Sequence, residues 1–340
     1  MKSVSAAAGL VARFGVRAAR TAFVQRGVYR IVLPNRESYC LKRMPCSESR
    51  LRWIDKTLLA VKKNGFTKVA WRDPLKRQGK RLFVKTNSRS CFILSPWLQG
   101  RWPAVHSRKD MQACGAALAQ FHRACHMGPY KAGAFNMIGK WPGVLASQHA
   151  LLKKLVFTAR RNGYHRAMDR YLQQHGSEIL GYSEEARRLL QQSNYKAVCQ
   201  AHRSKAQLCH GDGGPTNFLI NAKGVHLIDF ETLRLDLRAY DLYRVIYNSC
   251  KDHKWNFTIA RSFLDGYQSV SKLTRKDFSF LKVWLRFPQT VYLLLRTFNH
   301  KSVRDKSAAE RGFLRALQDE RRILLFLKQL EAYRKQCGAN

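Results

Sequence analysis

Acidic residues are scarce in this chain. Against 62 Lys+Arg stand only 22 Asp+Glu in 340 residues, which leaves a formal net charge of +40 and a sequence pI near 10.5. Glycine (21) and proline (9) are too few for a collagenous or low-complexity chain. The nine cysteines are odd in number, scattered, and never spaced Cys-x-x-Cys, so neither a zinc site nor a disulfide framework is indicated and a reducing compartment is the default. No apolar run approaches the ~20 residues that cross a bilayer, and Val291–Leu295 is far too short. Residues 1–23 carry Lys2, Arg13, Arg17 and Arg20 without an acid, as transit segments do, yet they lack the continuous apolar stretch of a secretory signal. The expectation is a soluble chain that no signal peptide exports.

What is present is the material of an ordinary globular protein. With 45% hydrophobic and 11% aromatic residues the chain can bury a sizeable core, and its length corresponds to about two domains at roughly 150 residues each. The positive charge does not mark a tail: residues 1–98 hold 22 basic and 4 acidic residues, the remainder 40 and 18. Such an excess implies nucleic acid, an anionic polymer or an acidic protein as neighbour, or else a lineage-wide basic bias on a solvated surface.

Along the chain the pattern changes near residue 98. A short helical segment, Ala6–Arg20, is followed by strand-like runs, Thr21–Leu33 and Ser38–Arg43, joined through Pro34-Asn35. Ser47 with Glu48 opens a helix whose apolar residues Leu51, Ile54, Leu58, Leu59 and Val61 recur at helical spacing, and Asn64-Gly65 closes it. Short β-rich runs follow at Lys68–Arg72, Arg81–Lys85 and Cys91–Leu94. Beyond Gly100 the spacing predicts helices at Met111–His126, Val144–Arg161, Arg166–His175, Ser183–Cys199, Ile259–Ser271, Phe278–Thr297 and Ala308–Arg334. One hairpin interrupts them, Phe218–Ile220 and Val225–Ile228 flanking Asn221-Ala222-Lys223-Gly224. The expected organisation is therefore α+β: a β-rich unit over 1–98 with one main helix, and a helical unit over 99–340.

In so acid-poor a chain it is notable that Asp212, Asp229, Glu231, Asp236 and Asp241 fall within 30 consecutive residues around that hairpin. A loop His210-Gly211-Asp212-Gly213-Gly214-Pro215-Thr216-Asn217, a hairpin, then Ile228-Asp229-Phe230 brings carboxylate and amide oxygens to one place, and such oxygens are what Mg²⁺ accepts while substrate phosphates complete its shell. In kinases one Asp orients the attacking hydroxyl while an Asn and a second Asp hold metal on the phosphates.

On these motifs the chain resembles the aminoglycoside-phosphotransferase and choline-kinase branch of the protein-kinase-like fold, and more narrowly the CotS-type bacterial spore-coat proteins within it. Tyr39-Cys40-Leu41-Lys42, Asn64-Gly65-Phe66, Leu94-Ser95-Pro96-Trp97-Leu98, Leu118-Ala119-Gln120-Phe121-His122 and Ala239-Tyr240-Asp241-Leu242 extend the likeness over most of the chain. The resemblance implies a bilobal kinase-like fold that binds ATP and Mg²⁺ and phosphorylates a hydroxyl of a small molecule or sugar. Lys42 then matches the lysine that holds the α- and β-phosphates, with Glu48, or else Asp55, as its acidic partner from the following helix. Asp212 matches the catalytic aspartate, Asn217 and Asp229 the metal ligands, and Ser95, Trp97 and Leu98 the hinge beside adenine; His210 anchors the loop and Asp241 braces it.

Two departures accompany the likeness. Neither Glu48 nor Asp55 stands at an unambiguous position for the ion pair with Lys42, and no Gly-x-Gly-x-x-Gly precedes Lys42, the nearest turn containing Gly27 alone. A Walker-type P-loop is not an alternative, because Gly133-x5-Gly139-Lys140-Trp141 has the wrong spacing and no Ser/Thr. Synthesis in the mother cell and residence in the spore coat follow from the narrower resemblance, with acidic coat proteins or anionic polymers as partners of the basic surface. An inactive kinase-like coat component and a basic nucleic-acid-binding protein are the alternatives. Arg160, Arg161, Arg166, Arg170, Arg187, Arg188 and Arg203 are read as a solvated helix face, with binding of a substrate that carries its own negative charge as the alternative, and Trp97, Trp102, Trp141, Tyr164 and Tyr171 as packing between helices, with stacking on a substrate as the alternative.

Overall fold

The computed structural model describes residues 4–86, 90–125, 135–161, 167–201, 207–298 and 302–338. It is built as a small β-rich lobe on a larger helical one. In the first lobe, helix α1 (Val4–Ala12) leads to strands β1 (Arg20–Gln25), β2 (Val28–Val32) and β3 (Ser38–Met44), helix α2 (Glu48–Lys63), and strands β4 (Val84–Lys85) and β5 (Cys91–Pro96). The strands form one antiparallel sheet in the order β1-β2-β3-β5-β4.

Alternation along β3 decides the chemistry of the sheet's two faces. Tyr39 and Leu41 point to a buried cluster with Ala7, Val11 and Phe14 from and just beyond α1, while Cys40, Lys42 and Met44 point the other way, into a cleft. Residues near the start of the chain thus cover the outer face of the sheet. The run expected as Thr21–Leu33 is two strands, because the chain reverses at Arg26-Gly27 and pairs Gln25 with Val28. Lys68–Arg72 forms no strand ladder; only Val69 bridges, to Leu227.

Helix α2 is capped as its sequence predicts: the Ser47 hydroxyl accepts from Arg50 N, Lys62 and Lys63 occupy its last turn, and Leu51, Ile54, Leu58 and Val61 face the core. The helical lobe holds α3 (Arg108–Ala124), α4 (Trp141–Arg161), α5 (Ala167–Gln192), α6 (Tyr195–Ala201), α7 (Arg238–Cys250), α8 (Phe257–Val270), α9 (Arg275–Arg286), α10 (Gln289–Phe298) and α11 (Val303–Gln336). Between α6 and α7 lie β6 (Leu208–Cys209), the hairpin β7 (Phe218–Asn221) and β8 (Gly224–Leu227), and β9 (Arg234–Leu235), which pairs with β6.

Four helical expectations change. The first helix ends at Ala12 and not at Arg20, which opens β1. Ser183 does not start a helix, because apolar residues at helical spacing (Leu172, Ile179, Ala186, Leu190) run through it and its hydroxyl bonds back to Leu180 O instead of capping. The stretch Phe278–Thr297 is two helices, broken at Pro288, where Phe287 takes an extended conformation. Helix α7 had no counterpart in the sequence reading, although it carries Asp241. Thr274 and Asp277, by contrast, form a full capping box at the start of α9.

The hairpin fastens the lobes together. Ala70 N donates to Leu227 O (3.0 Å) and Leu227 N to Lys68 O (2.9 Å), while Arg101 and Ile220 exchange backbone bonds of 2.9 and 2.8 Å. The segments on either side of β7 and β8 are thereby held at the mouth of the cleft.

Candidate active site

A cavity of about 560 Å³ lies between the sheet and the hairpin, within the ordinary range for a small-molecule site. Lys42, Ser95, Trp97, Leu98 and Asp229 all line it, with Val28, Ile93 and Leu219 among its apolar surfaces. The backbone N–H of Trp97 donates to Ser38 O (2.9 Å), which holds the chain at the cleft edge, and the Arg30 guanidinium sits 5.5 Å from the Trp97 ring centroid.

The loop before the hairpin is held from below. Asp241, fully buried on α7, accepts from His210 N (2.6 Å) and Gly211 N (2.8 Å), and its Oδ2 lies 3.0 Å from His122 Nε2. Burial opposes the charge of Asp241, but His122, His210 and the Gly211 N–H outweigh it and keep the carboxyl below its usual range. His210 anchors the loop to Ile228 O (2.8 Å) and packs on Phe230. His122, Cys209 and Asp241 come close enough to suit a metal, yet they are already committed: His122 also reaches Tyr267 Oη (2.8 Å) and Cys209 lies against Leu237 O.

Asn217 ties the pieces together. Its side-chain N–H donates to the Asp212 carbonyl, and its own carbonyl accepts from Ile228 N (3.1 Å), the residue before Asp229. With the amide nitrogen engaged, Oδ1 is the atom left to serve as a ligand. Asp229 takes a left-handed backbone conformation (φ 67°, ψ 67°) at the end of the hairpin. Asn217 and Asp229 supply hard oxygen donors beside a nucleotide-sized cleft, a set that fits Mg²⁺. The carboxylate of Asp212 is 45% exposed and pairs with Arg244 Nη2 at 2.5 Å.

Lys42 is not paired as expected. Its ammonium bonds Asp229 and lies 3.1 Å from Glu231 Oε2; burial alone lowers a lysine's proton affinity, but these two carboxylates reverse the effect and raise it. Glu48 pairs with Lys85 on β4, because as the first residue of α2 it stands at the sheet's edge strand. Asp55 is taken by Arg72 and by the Trp71 indole N–H (2.8 Å). Glu231 and Arg244 are the functional contacts that the sequence reading missed. Glu231 was visible in the acidic cluster two residues after Asp229, and Arg244 lies one helical turn after Asp241.

Trp141 packs on Tyr240 and Trp284, and Tyr171 stacks on Phe313, whereas Trp97 and Trp102 border the cleft. Arg160, Arg161, Arg170 and Arg188 are exposed, whereas Arg187 is half-buried and pairs with Glu184. Tyr164, Arg166 and Arg203 lie outside the described residues.

Comparison with known proteins agrees with this geometry. Residues 23–273 match the family model APH, the phosphotransferase enzyme family. The homoserine kinase of Rhodopseudomonas palustris (strain BisB18) is 25% identical over 233 residues, 68% of this chain and 63% of that protein. The chain spans under two thirds of the length of the first curated relatives it matches. Among solved structures, an aminoglycoside phosphotransferase from Alicyclobacillus acidocaldarius superposes with a TM-score of 0.76 at 20% identity, covering 95% of this chain and 96% of that one. A spectinomycin phosphotransferase, in complex with ADP and spectinomycin, gives 0.60 at 15% identity over 96% and 94%. At these identities the structural likeness establishes the kinase-like fold.

Proposed function

The chain belongs to the phosphotransferase enzyme family, and from that premise we propose that it is an ATP- and Mg²⁺-dependent kinase of a small-molecule hydroxyl. One observation carries the reading: Lys42 and Asp229, 187 residues apart, meet in the wall of a single cleft, and Asn217 links that wall to Asp212. Residues 1–98 would form the nucleotide lobe, with Ser95, Trp97 and Leu98 beside adenine, and residues 99–340 the acceptor lobe.

Bound ATP would supply the transferable γ-phosphoryl group, and Mg²⁺, held by Asn217 and Asp229, would shield its charge. Lys42 is a cation in reach of the phosphates. Asp212 aligns the acceptor hydroxyl and takes its proton as the new bond to phosphorus forms, passing that proton to water afterwards. The catalytic contribution is mostly positioning and charge neutralisation, since little covalent chemistry falls to the protein. The homoserine kinases among the relatives and the ADP-bound structural neighbour support an alcohol acceptor and a purine nucleotide.

A steady-state assay of ADP release tests this, run with ATP and Mg²⁺ over a panel of alcohols and sugars. Acceptor-dependent release that Asp212→Asn abolishes is expected; its absence for every acceptor, together with no nucleotide binding, overturns the reading. The net charge of +40 supports a second reading, in which the fold serves assembly on an acidic surface such as the spore coat. Salt-sensitive retention on coat material, independent of Asp212, is the result that would favour it.

A further inference from the structure

Arg244, beside Asp212, is the first of a chain of three arginines from three elements, continuing through Arg234 to Arg50, and none of them lines the cleft. Arg244, on α7, holds the Asp212 carboxylate at 2.5 Å. Tyr240 lies one turn earlier on the same helix face, and the Arg234 guanidinium from β9 covers its ring at 3.6 Å from the centroid. Arg50, on α2, donates to the carbonyl of Leu233, the residue next to Arg234, and both burial and the charge of Arg234 lower its proton affinity.

The cluster holds more donors than its own acids accept. Two carboxylates face the three guanidinium groups: Asp212 on Arg244, and Asp236, 3.3 Å from Arg234 Nε. Of the six buried guanidinium nitrogens without a hydrogen-bond partner among the described residues, four belong to this cluster: Arg50 Nη1, Arg234 Nη2 and Arg244 Nε, together with Arg234 Nε, which has only Asp236 at 3.3 Å beside it. Arg234 itself is only 9% exposed. Buried N–H donors are normally satisfied, and an arginine fork without an acceptor is matched best by the paired oxygens of a carboxylate or phosphate.

We infer that Arg234 and Arg244, supported by Arg50, recognise a negatively charged group on the phosphoryl acceptor, so that the substrate is a hydroxyl compound carrying a carboxylate or phosphate. The inference rests on Asp212 being the site of phosphoryl transfer. It also gives the Arg244–Asp212 pair a purpose. An anionic acceptor draws Arg244 to its own oxygens and releases the Asp212 carboxylate to meet the hydroxyl. The hydroxyl oxygen then bonds to the γ-phosphorus, its proton goes to Asp212, and the bond to the bridging oxygen breaks with its electron pair on departing ADP. A neutral or cationic acceptor leaves Arg244 where it is, and the carboxylate stays engaged.

ADP release is measured with matched pairs: a hydroxybutyrate against its amide, and glycerol phosphate against glycerol, which separate a carboxylate from a phosphate as the recognised group. Turnover should be confined to a charged member, and Arg234→Gln and Arg244→Gln should each raise its KM tenfold or more while KM for ATP stays within twofold. A second measurement needs no turnover. Inorganic phosphate should raise the melting temperature of Lys42→Met, in which the nucleotide-side lysine is gone, and adding Arg234→Gln or Arg244→Gln should remove that rise. Where the Gln variants do not fold, Arg234→Lys and Arg244→Lys keep the charge without the fork and should lose part of the phosphate effect. Faster turnover of the neutral members, or an undiminished phosphate effect in the arginine variants, overturns the inference. If ATP with Mg²⁺ fails to bind while the arginine-dependent phosphate effect persists, the kinase reading falls and the anion site stands.

Discussion

The Lys42 ammonium lies 3.1 Å from Glu231 Oε2 and bonds Asp229 as well, so this cation is held by the segment after the hairpin and not by helix α2. The partly buried pair orders Lys42 in the cleft wall. Lys42→Met should raise the Kd for ATP about tenfold or more, which corresponds to ~1.4 kcal/mol. Glu231→Gln should cost about threefold, and Glu48→Gln nothing, because Glu48 is engaged with Lys85. Asp212→Asn should retain nucleotide affinity while losing transfer. Calorimetric titration of the four variants decides; an effect at Glu48 equal to that at Glu231 would restore the α2 pairing.

Nucleotide binding has a stability signature. A ligand selective for the folded state adds about 2.7 kcal/mol at a hundredfold excess over its Kd. ATP with Mg²⁺ should therefore raise the melting temperature of the native chain, and Asp229→Ala should abolish the Mg²⁺-dependent part of the rise. Absence of any shift at millimolar ATP and Mg²⁺ would defeat the kinase reading.

How much of this was legible beforehand depends on how local each signal is. The loop from His210 to Asn217, the hairpin and Asp229 are contiguous in sequence, so their order and turn chemistry carried the arrangement, and the observed hairpin falls within a residue of the expected one at each inner end. Lys42 was found through resemblance, since a lone lysine on a strand has no distinguishing pattern. Its partners were assigned wrongly because the choice among Glu48, Asp55 and Glu231 is settled by tertiary geometry that spacing does not encode. Arg244 was missed for a related reason: α7 was not recognised as a helix, so the face that carries Asp241 beneath the loop and, one turn on, Arg244 beside Asp212 had no register to be read from. The break at Pro288 was legible and overlooked, whereas the passage of α5 through Ser183 is packing overriding a local preference.

Asp236 makes stability depend on pH in an unusual direction. Burial pushes its carboxyl up to about 6, against the pull of Arg234 and of hydrogen bonds from Trp141 and Leu237 N–H. The folded chain holds this proton more tightly than the unfolded one, so the contribution is fully present below the ordinary aspartate range and is lost as pH rises through about 6. Urea denaturation of the native chain and of Asp236→Asn, between roughly pH 4 and pH 7, should show the native chain losing about 2 kcal/mol relative to the variant. A difference that is flat across this window, or that grows with pH, would contradict the assignment.

Gly65 and Gly211 provide a paired test of what holds the loop from His210 to Asn217. Both have left-handed backbones, φ +97° and +86°, so alanine at either position incurs conformational strain of about 1 kcal/mol or more. They differ in their surroundings. A methyl group at Gly65, just beyond α2, meets nothing within 4 Å, whereas one at Gly211 would lie 2.2 Å from Thr232 O, a distance that no side-chain carbon tolerates. That carbonyl is fixed in place, since the Thr232 hydroxyl donates to His210 O (2.9 Å) and Asp241 grips the His210 and Gly211 amides from the other side. Gly211→Ala must therefore displace the loop and break at least one of these bonds, at a further cost of about 1–3 kcal/mol for the buried group left unpaired. Chemical denaturation should find Gly65→Ala within about 1 kcal/mol of its strain cost and Gly211→Ala at least twice as damaging. Phosphoryl transfer should be near normal in the first variant and severely impaired in the second. Equal destabilisation by the two would mean that backbone strain alone governs both sites, and that the loop has room the structure does not assign to it.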